Sequence, residues 1–177
     1  YINNALDFSP GGNLSASTST LAPIRNEITV SFWHYGAASQ PDVQNFNLYS
    51  YGDNGGIIMA SVPWDVGGNP AVMWVASTGW NDQIYKATTS STEYKGQWNH
   101  WAFTKNANAG AASMKIYLNS GLWHSGTGLT RPINGSAASF LLKDINTKEK
   151  WMTSDSTTGT STSPKLTTST PARCNAP

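Results

Sequence analysis

Apolar side chains recur at every second position through much of this chain, which is the period of a half-buried strand and not of a helix. In HWAFTK (100–105) the alternation puts Trp101 and Phe103 on one face and His100, Ala102 and Thr104 on the other. MKIYLN (114–119) repeats it, with Met114, Ile116 and Leu118 opposite Lys115, Tyr117 and Asn119. Between them, KNANAGAAS is a small, polar, glycine-containing connection of hairpin type. The turn Asn119-Ser120-Gly121 then reverses the chain so that Leu122 and Trp123 pair back. Further strands are predicted over 5–9, 27–36, 46–52, 56–62, 71–77 and 83–89, separated by Gly/Pro/Asn clusters such as Ser9-Pro10-Gly11-Gly12, Asp53-Asn54-Gly55-Gly56 and Gly67-Gly68-Asn69-Pro70. Many short strands with such turns predict an all-β chain, a sandwich or barrel of antiparallel sheets.

Past residue 140 the pattern weakens. LLKDI (141–145) still reads as a strand, whereas TSDSTTGTSTSPKLTTSTPARCNAP is a Ser/Thr/Pro-rich linker or glycosylated stalk by composition. The expected organisation is one folded domain over 1–145 and a segment over 146–177 that packs on it or extends from it.

Composition narrows the partners. Charged residues make up 12% of the 177 and the formal net charge is +1, so no basic stripe is available to neutralise nucleic-acid phosphates or an anionic membrane surface. No apolar run reaches the roughly 20 residues of a membrane-spanning helix. Polarity comes instead from Ser, Thr, Asn and Gly beside 8 Trp and 7 Tyr, the balance of a secreted, hydrogen-bonding β protein. Cys174 is the single cysteine, so an internal disulfide is excluded. With no leader pattern at its start, YINNALDFS reads as a mature product or an excised domain.

ALDFSPGGNLS, ITVSFWHYG, WNHWAFTKN and SMKIYLNSGLWHSGTG, in that order, resemble the laminin-G-like branch of the concanavalin A-like lectin/glucanase superfamily over residues 5–142. The resemblance implies a jelly-roll β-sandwich of two antiparallel sheets, one of them concave, with the first strand pairing with the last. It implies a closing strand of the type Gly-x-Ile-Asp-Glu-Val-Arg-Ile, to which nothing after Phe140 corresponds. It also implies calcium, a hard cation that takes several oxygen ligands; Asp7, Asp53 and Asp82 are the candidates if folding brings them together.

The chemistry best represented is that of sugar binding, in which aromatic rings stack on the C–H faces of a pyranose while Asp, Asn or Gln bond its hydroxyls. Tyr49 and Tyr51 precede a polar turn carrying Asp53 and Asn54; Trp64 stands beside Asp65, and Trp80 beside Asn81 and Asp82, in Gly-flanked, loop-like contexts. The expected ligand-binding set is Trp33, Tyr51, Asp53, Asn54, Trp64, Trp80, Asn81 and Asp82. Trp33 joins it because the core face of its strand is Ile28, Val30 and Phe32, so its ring points away from that core. Trp74, Trp98 and Trp101 are expected to pack the sheets.

Catalytic patterns are sparse. Paired carboxylates of the Glu-x-Asp-x-x-Glu kind, which the hydrolases of the superfamily use, are absent from the sequence. Arg25-Asn26-Glu27 and Gln83-Ile84-Tyr85-Lys86-Ala87 echo alginate lyase motifs, but Thr29 replaces the second arginine and no Gln-x-His follows. His34, His100 and His124 have no Ser or Cys at suggestive spacing, and zinc is not expected. Asn13-Leu14-Ser15 and Asn134-Gly135-Ser136 are sequons. The function expected is a secreted lectin or carbohydrate-binding module; the alternatives are a lyase or hydrolase, and a protein-binding adhesion domain.

Overall fold

A computed structural model of the chain describes residues 13–16, 23–40, 42, 46–52, 55–134 and 140–143. All of them belong to one compact unit, Phe8–Thr147; Tyr1–Asp7 and Lys148–Pro177 form a second that lies outside the described residues, as do the expected strand at 5–9 and the Ser/Thr/Pro-rich segment.

The strands among the described residues are β1 (Asn13–Ala16), β2 (Glu27–Tyr35), β3 (Phe46–Tyr51), β4 (Gly56–Val66), β5 (Asn69–Thr78), β6 (Gln83–Ala87), β7 (Trp98–Asn106), β8 (Ser113–Leu118), β9 (Gly121–Thr127) and β10 (Phe140–Lys143), with a 3-10 turn at Ser91–Glu93. They form two antiparallel sheets, one of six strands in the order β1-β10-β3-β4-β5-β6 and one of four in the order β2-β7-β8-β9. This is the jelly-roll sandwich that the alternation and the resemblance lead one to expect. The first described strand pairs with the last, Asn13 opposite Lys143. Phe140–Lys143 thus supplies the closing strand without the anticipated motif.

Turn chemistry sets the register. Asn119 and Ser120 both take positive φ (49° and 69°), and so do Gly67 and Gly68 (62° and 85°), as tight two-residue hairpins that follow strand twist require. The Gly67-Gly68 hairpin carries β4 four residues beyond its expected end, so Trp64 and Asp65 lie in a strand and not in a loop. Pro63 has no N–H to give a ladder, and the register shifts between Ser61 and Trp64 accordingly.

The core lies between the sheets. Ile58, Ala60 and Val62 of β4 and Val72, Trp74 and Ala76 of β5 meet Trp101 and Phe103 of β7 and Met114 and Ile116 of β8. Trp74 donates its Nε1–H to the Thr104 carbonyl at 3.0 Å, joining the two sheets. A second cluster, Ile57, Met59, Met73 and Val75 with Tyr49 and Trp64 against it, occupies the opposite face of β4 and β5. Both faces of these strands are therefore buried, which is why they read as continuous apolar runs. The four-stranded sheet is different: β2 and β7 alternate between sheltered inward residues and exposed or half-buried outward ones.

Among the described residues, one ion pair crosses the interior. Lys105 follows Trp101 and Phe103 on the inward face of β7 and is 2% exposed; its Nζ lies 2.6 Å from Asp82 Oδ2, in the β5–β6 turn, and donates to the Leu129 carbonyl at 2.6 Å. The same carboxylate oxygen accepts the Arg131 N–H at 2.8 Å. With Thr78 N–H to Pro132 and Ile133 N–H to Arg25, these bonds seat the 128–134 segment across one end of the sandwich.

Candidate functional site

The outward face of the four-stranded sheet is the open face of the described structure. Of the seven large apolar side chains that remain exposed among the described residues, four, Trp33, Tyr35, Trp98 and Leu122, stand on it. Cross-strand register explains how they meet. Tyr35 lies opposite Trp98 and Trp33 opposite His100, and the rings touch in tilted pairs with centroids 5.5 and 5.1 Å apart. The result is an aromatic ridge two rows deep at one end of the sheet, with exposures of 54% for Trp33, 50% for Tyr35 and 45% for Trp98.

Beyond the ridge the side chains shorten. Ser31 and Ala102 form the next row with Tyr117, then come Thr29, Thr104, Lys115 and Ser125, and last Glu27, Asn106, Ser113 and Thr127. The short rows leave a cleft of about 450 Å³ lined by Glu27, Thr29, Thr104, Asn106, Lys115 and Tyr117, among others. Glu27 Oε1 accepts from Asn108 Nδ2 at 2.6 Å, which holds the carboxylate at the rim. Rings at one end and hydroxyl, amide and charged groups at the other form a surface that can stack and hydrogen-bond a polyhydroxylated ligand.

The expected ligand-binding residues separate into distinct places. Trp33 is on the ridge. Tyr51 ends β3, and Trp80 (47% exposed) and Asn81 occupy the β5–β6 turn, which is bonded to the β3–β4 turn through Gly79 N–H and the Gly55 carbonyl at 2.6 Å. Asn81 Nδ2 donates to the Thr78 carbonyl, so part of its capacity goes to shaping the turn. Trp64 is half-buried at the other end of β4, paired with Ala71, about 24 Å of strand from the turn that carries Trp80. The Trp64 and Trp80 segments therefore do not converge on one subsite. Asp53 and Asn54 lie outside the described residues.

Asp82, expected to bind ligand, lies inside the fold. It is 6% exposed and its carboxylate is held by Lys105 and the Arg131 amide, so it is unsuited to reach a saccharide. An ammonium 2.6 Å away would also repel a dication, so Asp82 does not fit a calcium site. Asp7 and Asp53, its suggested co-ligands, are outside the described residues, among which no three His, Cys, Asp or Glu side chains gather to hold a metal.

Trp98 and Tyr35 are the residues that sequence reasoning missed. Trp98 was expected inside, yet it stands three positions from Trp101, an odd spacing that places the two on opposite faces. Trp74 and Trp101 are fully buried, as expected.

The histidines sit apart on three strands. His34 faces inward on β2, and burial lowers its pKa to about 4 against a smaller opposing effect of Gln40, so it is neutral near pH 7. His124 on β9 is also lowered, by burial first and by the nearby Lys86 ammonium second. The two lyase-like fragments do not meet either. Glu27 is on the outward face of the four-stranded sheet, whereas Tyr85 lies opposite Met73, on the outward face of the six-stranded one.

No curated protein sequence matches the chain. Among solved structures, the crystal structure of the botulinum neurotoxin serotype G binding domain is similar at 19% identity and a TM-score of 0.48, over 71% of this chain and 30% of that one. The chain thus spans less than a third of that relative's length. A family model described as the concanavalin A-like lectin/glucanases superfamily matches residues 9–163, most of the sequence, and with the two-sheet jelly roll in place the chain belongs to that superfamily.

Proposed function

We propose that this chain is a secreted carbohydrate-binding domain that holds a glycan on the outward face of its four-stranded sheet and does not cleave it. The observation that carries the reading is the ridge of Trp33, Tyr35 and Trp98, three large rings left about half exposed on one sheet face. Leaving such area in water forgoes the stabilisation of burial, and a contiguous aromatic patch on one face marks an interaction surface. Rings on a sheet are held in fixed orientation by their cross-strand partners, so they offer stacking planes at little further entropic cost. The adjoining Thr29, Thr104, Asn106 and Tyr117 supply the donors and acceptors that sugar hydroxyls need.

A glycan array, run with and without a calcium chelator and paired with an assay for released sugar, tests the proposal. The expected result is binding without release, with affinity reduced about tenfold or more in Trp33→Ala and in Trp98→Ala. Released sugar, or binding that survives both substitutions and disappears in Trp80→Ala, would overturn it.

A further inference from the structure

Resting on the reading of this face as a glycan site, we infer that its ligand is an acidic oligosaccharide whose anionic group is bound by Lys115. Lys115 points outward from the centre of the cleft floor, with Thr104 opposite it on β7 and Ser125 on β9. Among the described residues its ammonium makes no ion pair; the two salt bridges present join Lys95 to Asp42 and Lys105 to Asp82. The other outward-pointing charged residue at the cleft, Glu27, is two strands across and one row along, its Cα about 12 Å from that of Lys115 by strand spacing and rise. It is also engaged by Asn108. A cation flanked by hydroxyls and lacking a carboxylate of its own suits a carboxylate or sulfate bordered by sugar hydroxyls.

Geometry also sets the length of the ligand. From the Trp33–His100 row to the Thr104–Lys115 row is four residues of strand, about 14 Å, with Tyr117 between them. One sugar ring cannot stack on the ridge and reach Lys115 at once. The ligand is therefore a chain of several residues, neutral or acidic where it stacks and anionic at its far end.

Calorimetric titration of the full chain with a hexuronate oligosaccharide, its carboxyl-reduced counterpart and a sulfated neutral oligosaccharide of equal length is the test. The expected result is tighter binding of an anionic chain than of the reduced one, by about tenfold at low salt, with the preference fading as salt is raised. Whichever of the uronate and the sulfated chain binds tighter identifies the anion. Lys115→Met should erase the preference, and Lys115→Arg should keep it. Equal affinity for the anionic and reduced chains, or a preference that survives Lys115→Met, overturns the inference and leaves the glycan-binding reading standing. Failure of all three chains to bind overturns the inference, and the glycan array then decides the reading on which it rests.

Discussion

Replacing Lys105 by Met tests the interior of the sandwich more directly than any surface change. The substitution keeps an unbranched side chain of similar length and removes only the ammonium. It leaves the Asp82 carboxylate 6% exposed with the Arg131 N–H as its remaining bond, and it strips the Leu129 carbonyl of the Lys105 donor. Removing one partner of a buried ion pair costs about 3–5 kcal/mol, because the other charge stays out of water uncompensated. Such a loss is a large share of the roughly 5–15 kcal/mol that holds a typical domain together. With a urea m-value of about 2 kcal/mol/M, the unfolding midpoint should fall by about 2 M. Equilibrium unfolding followed by tryptophan fluorescence measures it. The double variant Lys105→Met/Asp82→Asn should lose less than the sum of the two single changes by at least about 1 kcal/mol, since it leaves no orphaned charge. A loss below about 1 kcal/mol for Lys105→Met would mean that the pair is hydrated in solution, and additive single changes would refute the coupling.

Two further perturbations probe other parts of the sandwich. At Gly36 a Cβ would sit 1.9 Å from the Tyr94 backbone carbonyl oxygen, so Gly36→Ala must displace main chain and should lower stability by about 1–3 kcal/mol or more; an unchanged melting temperature would contradict that close approach. His34, with a folded pKa of about 4 against 6.5 unfolded, makes the unfolded state bind more protons between those values, so its contribution is complete above pH 6.5 and is lost as pH falls toward 4. The loss is about 3 kcal/mol. His34→Gln should flatten that part of the stability–pH curve, and an unaltered slope would assign it to other groups.

How far the fold was legible depended on how local its causes are. β7 and β8 follow from alternation alone, and the outward direction of Trp33 follows from Ile28, Val30 and Phe32. The same rule, carried one step further, would have turned Trp98 outward. Trp64 looked like a loop residue because of the glycines after it, yet two residues of Gly-Gly are a hairpin signal that extends the strand through it. Lys105 on a face shared with Trp101 and Phe103 announces a buried cation in need of a partner. Nothing in sequence spacing identifies that partner as Asp82, because the contact depends on how the two sheets stack. The ridge was half legible for the same reason: each strand declares its own faces, but the pairing of β2 with β7 that aligns their aromatics is a property of the register.

The contrast between strands sealed on both sides and a sheet open on one divides the chain into two kinds of evolutionary material. In β4 and β5 nearly every position is answerable to a packed neighbour, so sequence drift there is confined to exchanges of similar shape. Along β2, β7 and β8 every second residue is free of that obligation. Specificity on this face can therefore be rewritten, by descent or in a display library that randomises Thr29, Ser31, Trp33, Tyr35, Trp98 and Lys115, while the architecture that presents it is inherited intact.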